Sequence, residues 1–191
     1  MNTYVLLLRG INVGGKNKLP MAELKTYLEE QGCTNVTTYI QSGNVIVQSA
    51  LGAKALSQKV EDSLPKKFKL DSSIIKILAL THDQLKAVIG NKPTGFGDEP
   101  EKYRCEAVFL MGIPTSEAMT VFAPREGVDQ IWPGAGVIYS QRLIAQITKS
   151  RIGKIVGTLP YQSMTIRNWN TTTKLLKMLD EMSAQKAKEQ N

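Results

Sequence analysis

Twice along this chain of 191 residues the apolar pattern runs strand, helix, strand, strand, helix, strand. No other feature of the sequence constrains its fold as much. Tyr4 to Arg9 is apolar at almost every position and reads as a strand. A loop of glycine, asparagine and lysine follows. Met21, Leu24, Tyr27 and Leu28 then recur at helical spacing, with Pro20 at the start and Gly32 as a left-handed cap at the end. Val36 to Gln41 is β-branched and aromatic, Ser42-Gly43-Asn44 is a turn, and Val45 to Gln48 is its hairpin partner. Leu56, Val60 and Leu64 form a second helical stripe, which Pro65 is expected to end, and Ser73 to Leu80 supplies a fourth strand.

The second half repeats the order. Thr81-His82-Asp83-Gln84 fits a capping box before a short helix with Leu85, Val88 and Ile89, and His82 reads as a solvated helix-start residue. Asn91 to Tyr103 is rich in glycine and proline and reads as a mobile linker. Arg104 to Met111 is a strand. A helix with Ala118, Met119 and Phe122 stops at Pro124, and Val128 to Trp132 and Val137 to Tyr139 flank a Pro-Gly-Ala-Gly turn. Ser150 to Val156 reads as a short helix and Met164 to Arg167 as a strand. Asn170 is the expected cap of a last helix with Leu175, Met178, Leu179 and Met182 inward, and the polar tail from Ser183 is expected to fray.

This order predicts an α+β protein of two ferredoxin-like (βαββαβ) subdomains with mainly antiparallel sheets. The first spans residues 1–80, a short helix and linker 81–103, and the second subdomain with its C-terminal helix 104–191. The first strand is apolar on both faces, so both sides of its sheet should be covered. An RNA-recognition domain shares the order but stacks bases on aromatics of its central strands. Val45-Ile46-Val47-Gln48 has none, which excludes that reading.

Charge narrows the partners. Lys and Arg number 24 against 17 Asp and Glu, a net charge of +7. Ile131 to Leu179 holds no acid but carries Arg142, Lys149, Arg151, Lys154, Arg167, Lys174 and Lys177; the first 22 residues are also acid-free. Such fields favour phosphates, nucleic acid or acidic surfaces. Two cysteines, Cys33 and Cys105, make no disulfide framework and read as packing residues. One histidine and no paired carboxylates leave no metal site, and no cofactor is expected. No apolar run approaches the ~20 residues of a membrane span, and no signal peptide opens the chain, so a cytoplasmic protein with no membrane partner is expected.

In a split βαβ unit the first two strands are parallel, so their C-terminal ends share one sheet edge. Those ends lead into Asn12-Val13-Gly14-Gly15-Lys16-Asn17-Lys18 and into Ser42-Gly43-Asn44. Glycines there expose backbone N–H groups, Arg9, Lys16 and Lys18 bring charge, and Ser42 and Asn44 bring neutral hydrogen bonds. The converging loops, with Arg9, Asn12, Gly14, Gly15, Lys16, Lys18, Ser42, Gly43 and Asn44, are therefore the candidate anion site. The loop is not a Walker motif, because G-x-x-x-x-G-K-[ST] is absent. Arg167, Asn168 and Lys174 are secondary candidates, in a strip that also reads as a helix cap with Trp169 as a packing wedge.

The segments Leu7-Leu8-Arg9-Gly10-Ile11-Asn12-Val13-Gly14-Gly15-Lys16-Asn17-Lys18, Tyr39-Ile40-Gln41-Ser42-Gly43-Asn44-Val45 and Thr165-Ile166-Arg167-Asn168-Trp169-Asn170, with Lys174-Leu175, resemble a bacterial family. It is the domain-of-unknown-function family sixteen ninety-seven. The resemblance implies an α+β fold with a ferredoxin-like part and no assigned activity. Three readings stay open: a binding module for a phosphate-bearing small molecule or a nucleic-acid backbone, a metal-independent enzyme acting on such a ligand with Lys16 as electrostatic stabiliser, and an adaptor using the basic C-terminal half.

Overall fold

A computed structural model describes residues 1–189, with side chains described to residue 184. The chain divides into two compact units: Met1–Leu85 with the described residues from Leu175 onward, and Lys86–Lys174. The division falls inside two helices, α3 (His82–Gly90) and α5 (Trp169–Glu189).

The first unit holds β1 (Asn2–Arg9), α1 (Met21–Glu30), β2 (Thr34–Tyr39), β3 (Asn44–Ser49), α2 (Ala53–Phe68) and β4 (Lys76–Thr81). The sheet order is β2-β3-β1-β4 with every neighbouring pair antiparallel. β1 and β2 thus run parallel with β3 between them, the split βαβ arrangement. Tyr4, Leu6 and Leu8 point into a core with Leu24 and Leu28 of α1 and Leu56, Val60 and Leu64 of α2. Val5 and Leu7, on the opposite face, are as completely buried.

Helix ends follow local chemistry. Gly32, at φ 87°, closes α1 with paired bonds, its own N–H to Glu29 O and that of Cys33 to Leu28 O, both 3.0 Å. α2 does not end at Pro65 but runs three residues beyond it, to Phe68. A proline in the last turn interrupts the ladder only where the helix is about to stop, and Lys69 terminates it in the left-handed region at φ 53°. The fourth strand begins late, at Lys76, because Ser72–Ile74 forms a 3-10 turn capped by Asp71.

The Thr81 capping box forms in full. Gln84 N–H donates to Thr81 Oγ1 at 3.2 Å, and Thr81 N–H to Gln84 Oε1 at 2.9 Å. His82 is not simply solvated: its Nε2 lies 2.6 Å from Asp180 Oδ1 of α5. The hydrogen bond to Asp180 raises its pKa above the ordinary 6.5, with Asp83 acting in the same sense and partial burial opposing. A raised folded pKa stabilises the protein below the unfolded value, and the gain is lost as pH rises through the folded midpoint. His82 is the chain's one histidine, so its ring protons titrate alone in the NMR spectrum. The midpoint should lie above 6.5 and fall in Asp180→Asn. Equal midpoints in the two proteins would show that the pair does not form.

The second unit repeats the topology with β5 (Tyr103–Leu110), α4 (Thr115–Met119), β6 (Asp129–Gly134), β7 (Val137–Leu143) and β8 (Met164–Asn168), in the order β6-β7-β5-β8. The mainly antiparallel α+β architecture is thus present in both units. The short helix expected over Ser150 to Val156 is a single 3-10 turn, Ile152–Ile155, and two further 3-10 turns, Ile144–Lys149 and Pro160–Ser163, flank it in the connection. Gly153, Gly157 and Pro160 interrupt any longer helix there.

The stretch Asn91 to Tyr103 is packed rather than a loose linker. Its Phe96 is fully buried, with its ring 5.0 Å from Trp169, 5.3 Å from Tyr139 and 6.0 Å from Trp132, all edge-to-face. The cap of α5 is Asn168, not Asn170: Asn168 Oδ1 accepts the Asn170 N–H at 2.9 Å, since the helix opens at Trp169. The chain from Ser183 remains helical to Glu189, and the last two residues of the tail lie outside the described ones.

Candidate functional site

Gly10 to Leu19 is a finger closed by a tight turn. Gly14 and Gly15 both take positive φ, 58° and 77°, the requirement of a two-residue type I′ turn. Lys16 N–H donates to Val13 O and Asn12 N–H to Asn17 O, both at 3.0 Å, so those amides are engaged within the finger. Val13, Gly14, Gly15, Lys16 and Lys18 are exposed.

Asn12 ties this finger to the facing hairpin. Its Nδ2 donates to Leu19 O and to Gln41 O, each at 2.9 Å, and its Oδ1 accepts Leu19 N–H at 2.8 Å. Lys18 precedes Leu19 and Ser42 follows Gln41, so one amide ties together the two segments that carry these exposed residues. Asn17 fastens the other flank, donating to Gly10 O at 2.8 Å and accepting Asp71 N–H at 2.9 Å. Both asparagines have left-handed backbone, φ 53° and 47°, a conformation their short polar side chains tolerate.

The hairpin is equally determined. Gly43 is buried, at φ 73°, and its carbonyl accepts Leu8 N–H at 2.8 Å. A Cβ there would meet Leu8 Cβ at 2.9 Å, so only glycine fits. Asn44 is fully buried, with Nδ2 donating to Ser42 Oγ at 2.9 Å and to Tyr39 O at 3.2 Å. Ile40 is β-branched yet sits at φ 49° with half its surface in water, a conformation that costs about 1–3 kcal/mol and marks a constrained loop. Arg9 donates from Nη1 to Ile74 O at 2.9 Å, holding the strand end to the loop before β4. Asp71 is the acid of this edge. Its hydrogen bonds from Ser73 pull its carboxyl below the usual range, helped by the charge of Lys16.

The secondary candidates belong to the second unit. Arg167 is buried, its Nη1 bonded to Thr165 Oγ1 and Ile166 O, and burial pushes its pKa down to about 10. Asn168 caps α5, and Lys174 is half-buried. The long acid-free stretch is not one uniform field. Arg142 pairs with Glu106, Arg167 is internal and Lys174 is half-buried, which leaves Lys149, Arg151, Lys154 and Lys177 on the surface. Sequence reasoning missed the cluster in which buried Glu106 accepts from both Arg104 (2.9 Å) and Arg142. The spacing of Arg104 and Glu106, two apart on one strand face, was a legible sign of half of it.

Cys33 and Cys105 are buried, and burial raises both thiol pKa values, as packing residues require. Among the described residues no group of His, Cys, Asp and Glu is placed to hold a metal, and no helix is long and apolar enough to cross a membrane.

The Protein of unknown function (DUF1697) family matches residues 1–139, which include the finger and the hairpin. The chain belongs to the DUF1697 family. The DUF1697 chain is also similar to a solved structure, the conserved bacterial protein SP0830 from Streptococcus pneumoniae. The TM-score is 0.74 and the identity 27%, over 93% of this chain and 98% of that one. The likeness thus spans both units. No curated protein matches the DUF1697 chain.

Proposed function

We propose that the edge formed by the finger and the hairpin binds a phosphate-bearing ligand. The observation that carries this reading is the Asn12 side chain, bonded at once to Leu19 O and Gln41 O, which ties the segment carrying Lys18 to the one carrying Ser42. Gly14 and Gly15 add exposed backbone N–H groups, and Lys16 adds a second ammonium at the same projecting tip. A lysine is a point-charge phosphate binder that needs no bidentate geometry. Because the tip is exposed, it suits phosphates on an extended molecule, such as a nucleic-acid backbone, as well as free phosphorylated compounds. Asn44 and Gly43 position Ser42 in this reading, and Arg9 keeps the strand end in place.

The test uses inorganic pyrophosphate and a short single-stranded RNA as probes. Lys16→Ala and Lys18→Ala, with folding confirmed, should each weaken binding about ten- to a hundredfold, the range of one charge-assisted contact of about 1.5–3 kcal/mol. RNA affinity should also fall steeply with salt. Unchanged affinity in both variants would reject the edge. It would favour the basic C-terminal half instead, where Val156 and Leu159 stand 63% and 77% exposed in the same loop region as Arg151 and Lys154.

A further inference from the structure

The second unit carries an open cavity of about 490 Å³ that no part of the finger edge lines. It opens where β8 stops. β5 pairs with β8 only from Glu106 to Leu110, so Tyr103, Arg104 and Cys105 run on without a β8 partner while the chain turns into α5 at Trp169. The gap is walled by Tyr103 and Arg104, by Ile144 and Ile147 of the first 3-10 turn, and by Asn168 and Trp169. Its volume lies within the ~300–1,000 Å³ of small-molecule sites, which are mostly apolar with a few convergent polar groups.

The lining specifies an occupant. Ile144, an apolar side chain lining the cavity, leaves 42% of its surface in water. Trp169 is a rigid wall, 6% exposed and held edge-to-face by Phe96 at 5.0 Å. Arg104 is the one charged residue among those lining the cavity, and its side chain is 52% exposed. Glu106, which pairs with Arg104 and Arg142, does not line the cavity, so no carboxylate stands among the lining residues. Asn168 uses Oδ1 for the cap of α5, which leaves its Nδ2 hydrogens for a ligand.

We propose that this cavity binds a small organic anion with a flat apolar body. Its ring lies against Tyr103, Ile144 and Ile147, and its carboxylate or phosphate meets Arg104 and Asn168. Aromatic carboxylates and nucleoside monophosphates share that chemistry.

Calorimetric titration distinguishes the two sources with phenylacetate and adenosine monophosphate, against the neutral phenylacetamide and adenosine. At least one anion should bind saturably, and about tenfold or more tighter than its neutral counterpart. Arg104→Gln should remove that preference. Ile144→Trp, at an exposed position where folding tolerates bulk, should fill the cavity and abolish binding. Lys16→Ala should leave it unchanged, which separates this site from the finger edge. Failure of both anions to bind, unchanged binding in Ile144→Trp, or loss in Lys16→Ala would each overturn the proposal.

Discussion

Phe96→Ala should lower the stability of the second unit by about 3–5 kcal/mol, the cost of deleting a buried aromatic ring. Phe96 is fully buried and touches Trp132, Tyr139 and Trp169 edge-to-face. Removing it takes away ring contacts and leaves a void that the rigid indoles cannot fill. Phe96→Leu, which restores most of the volume, should cost much less, about 1–2 kcal/mol. The chain's two tryptophans, Trp132 and Trp169, both lie in this unit, so fluorescence-detected urea unfolding reports on it directly. A loss below about 1 kcal/mol in Phe96→Ala would show that the segment before β5 is not part of the core.

Glu106→Ala should cost about 3 kcal/mol, the low end for breaking a buried ion pair by removing one partner. The carboxylate is 6% exposed and accepts from Arg104 and Arg142. Without it, Arg142 remains 16% exposed with no carboxylate at that position, and its Nε already lacks a hydrogen-bond partner. Asp129, paired with Arg142 across β6 and β7, offsets part of the loss. Arg104 is half-exposed and recovers water. Glu106→Gln keeps an acceptor and should lose less than Glu106→Ala in the same urea titration. Equal stability of Glu106→Ala and the parent protein would show that the cluster shapes the unit without stabilising it.

The order of elements was legible because it rests on apolar periodicity, which burial enforces. The stripe Leu56, Val60, Leu64 and the continuous run from Tyr4 to Leu8 are both buried as read. Boundaries set by single hydrogen bonds were less legible. Asn168 and Asn170 both offer a capping side chain, and which one caps depends on whether the backbone turns at Trp169 or later. Pro65 reads as a stop, yet a helix tolerates it where few residues follow. Ile144 to Ser163 has apolar residues without helical spacing, so tight turns were not distinguishable from a short helix. Phe96 stands in a glycine- and proline-rich context that masks one deeply buried ring.

The meeting of finger and hairpin followed from topology alone, since parallel β1 and β2 deliver both loops to one edge. The device that joins them did not. The partners of the Asn12 amide, Leu19 O and Gln41 O, lie 7 and 29 residues away along the chain. Only the three-dimensional register brings them within reach. The reading of the glycines changed too: they build a type I′ turn, and two of the amides near them are engaged inside the finger rather than offered outward.

In the proposed function, phosphate is met at that edge. Backbone amide NMR of the folded protein during a pyrophosphate titration tests it most directly, because each amide reports its own surroundings. The amides of Gly14, Gly15 and Ser42 should shift together and saturably, and the shifts should vanish in Lys18→Ala and at high salt. Shifts confined to other residues, or persisting unchanged in Lys18→Ala, would contradict it.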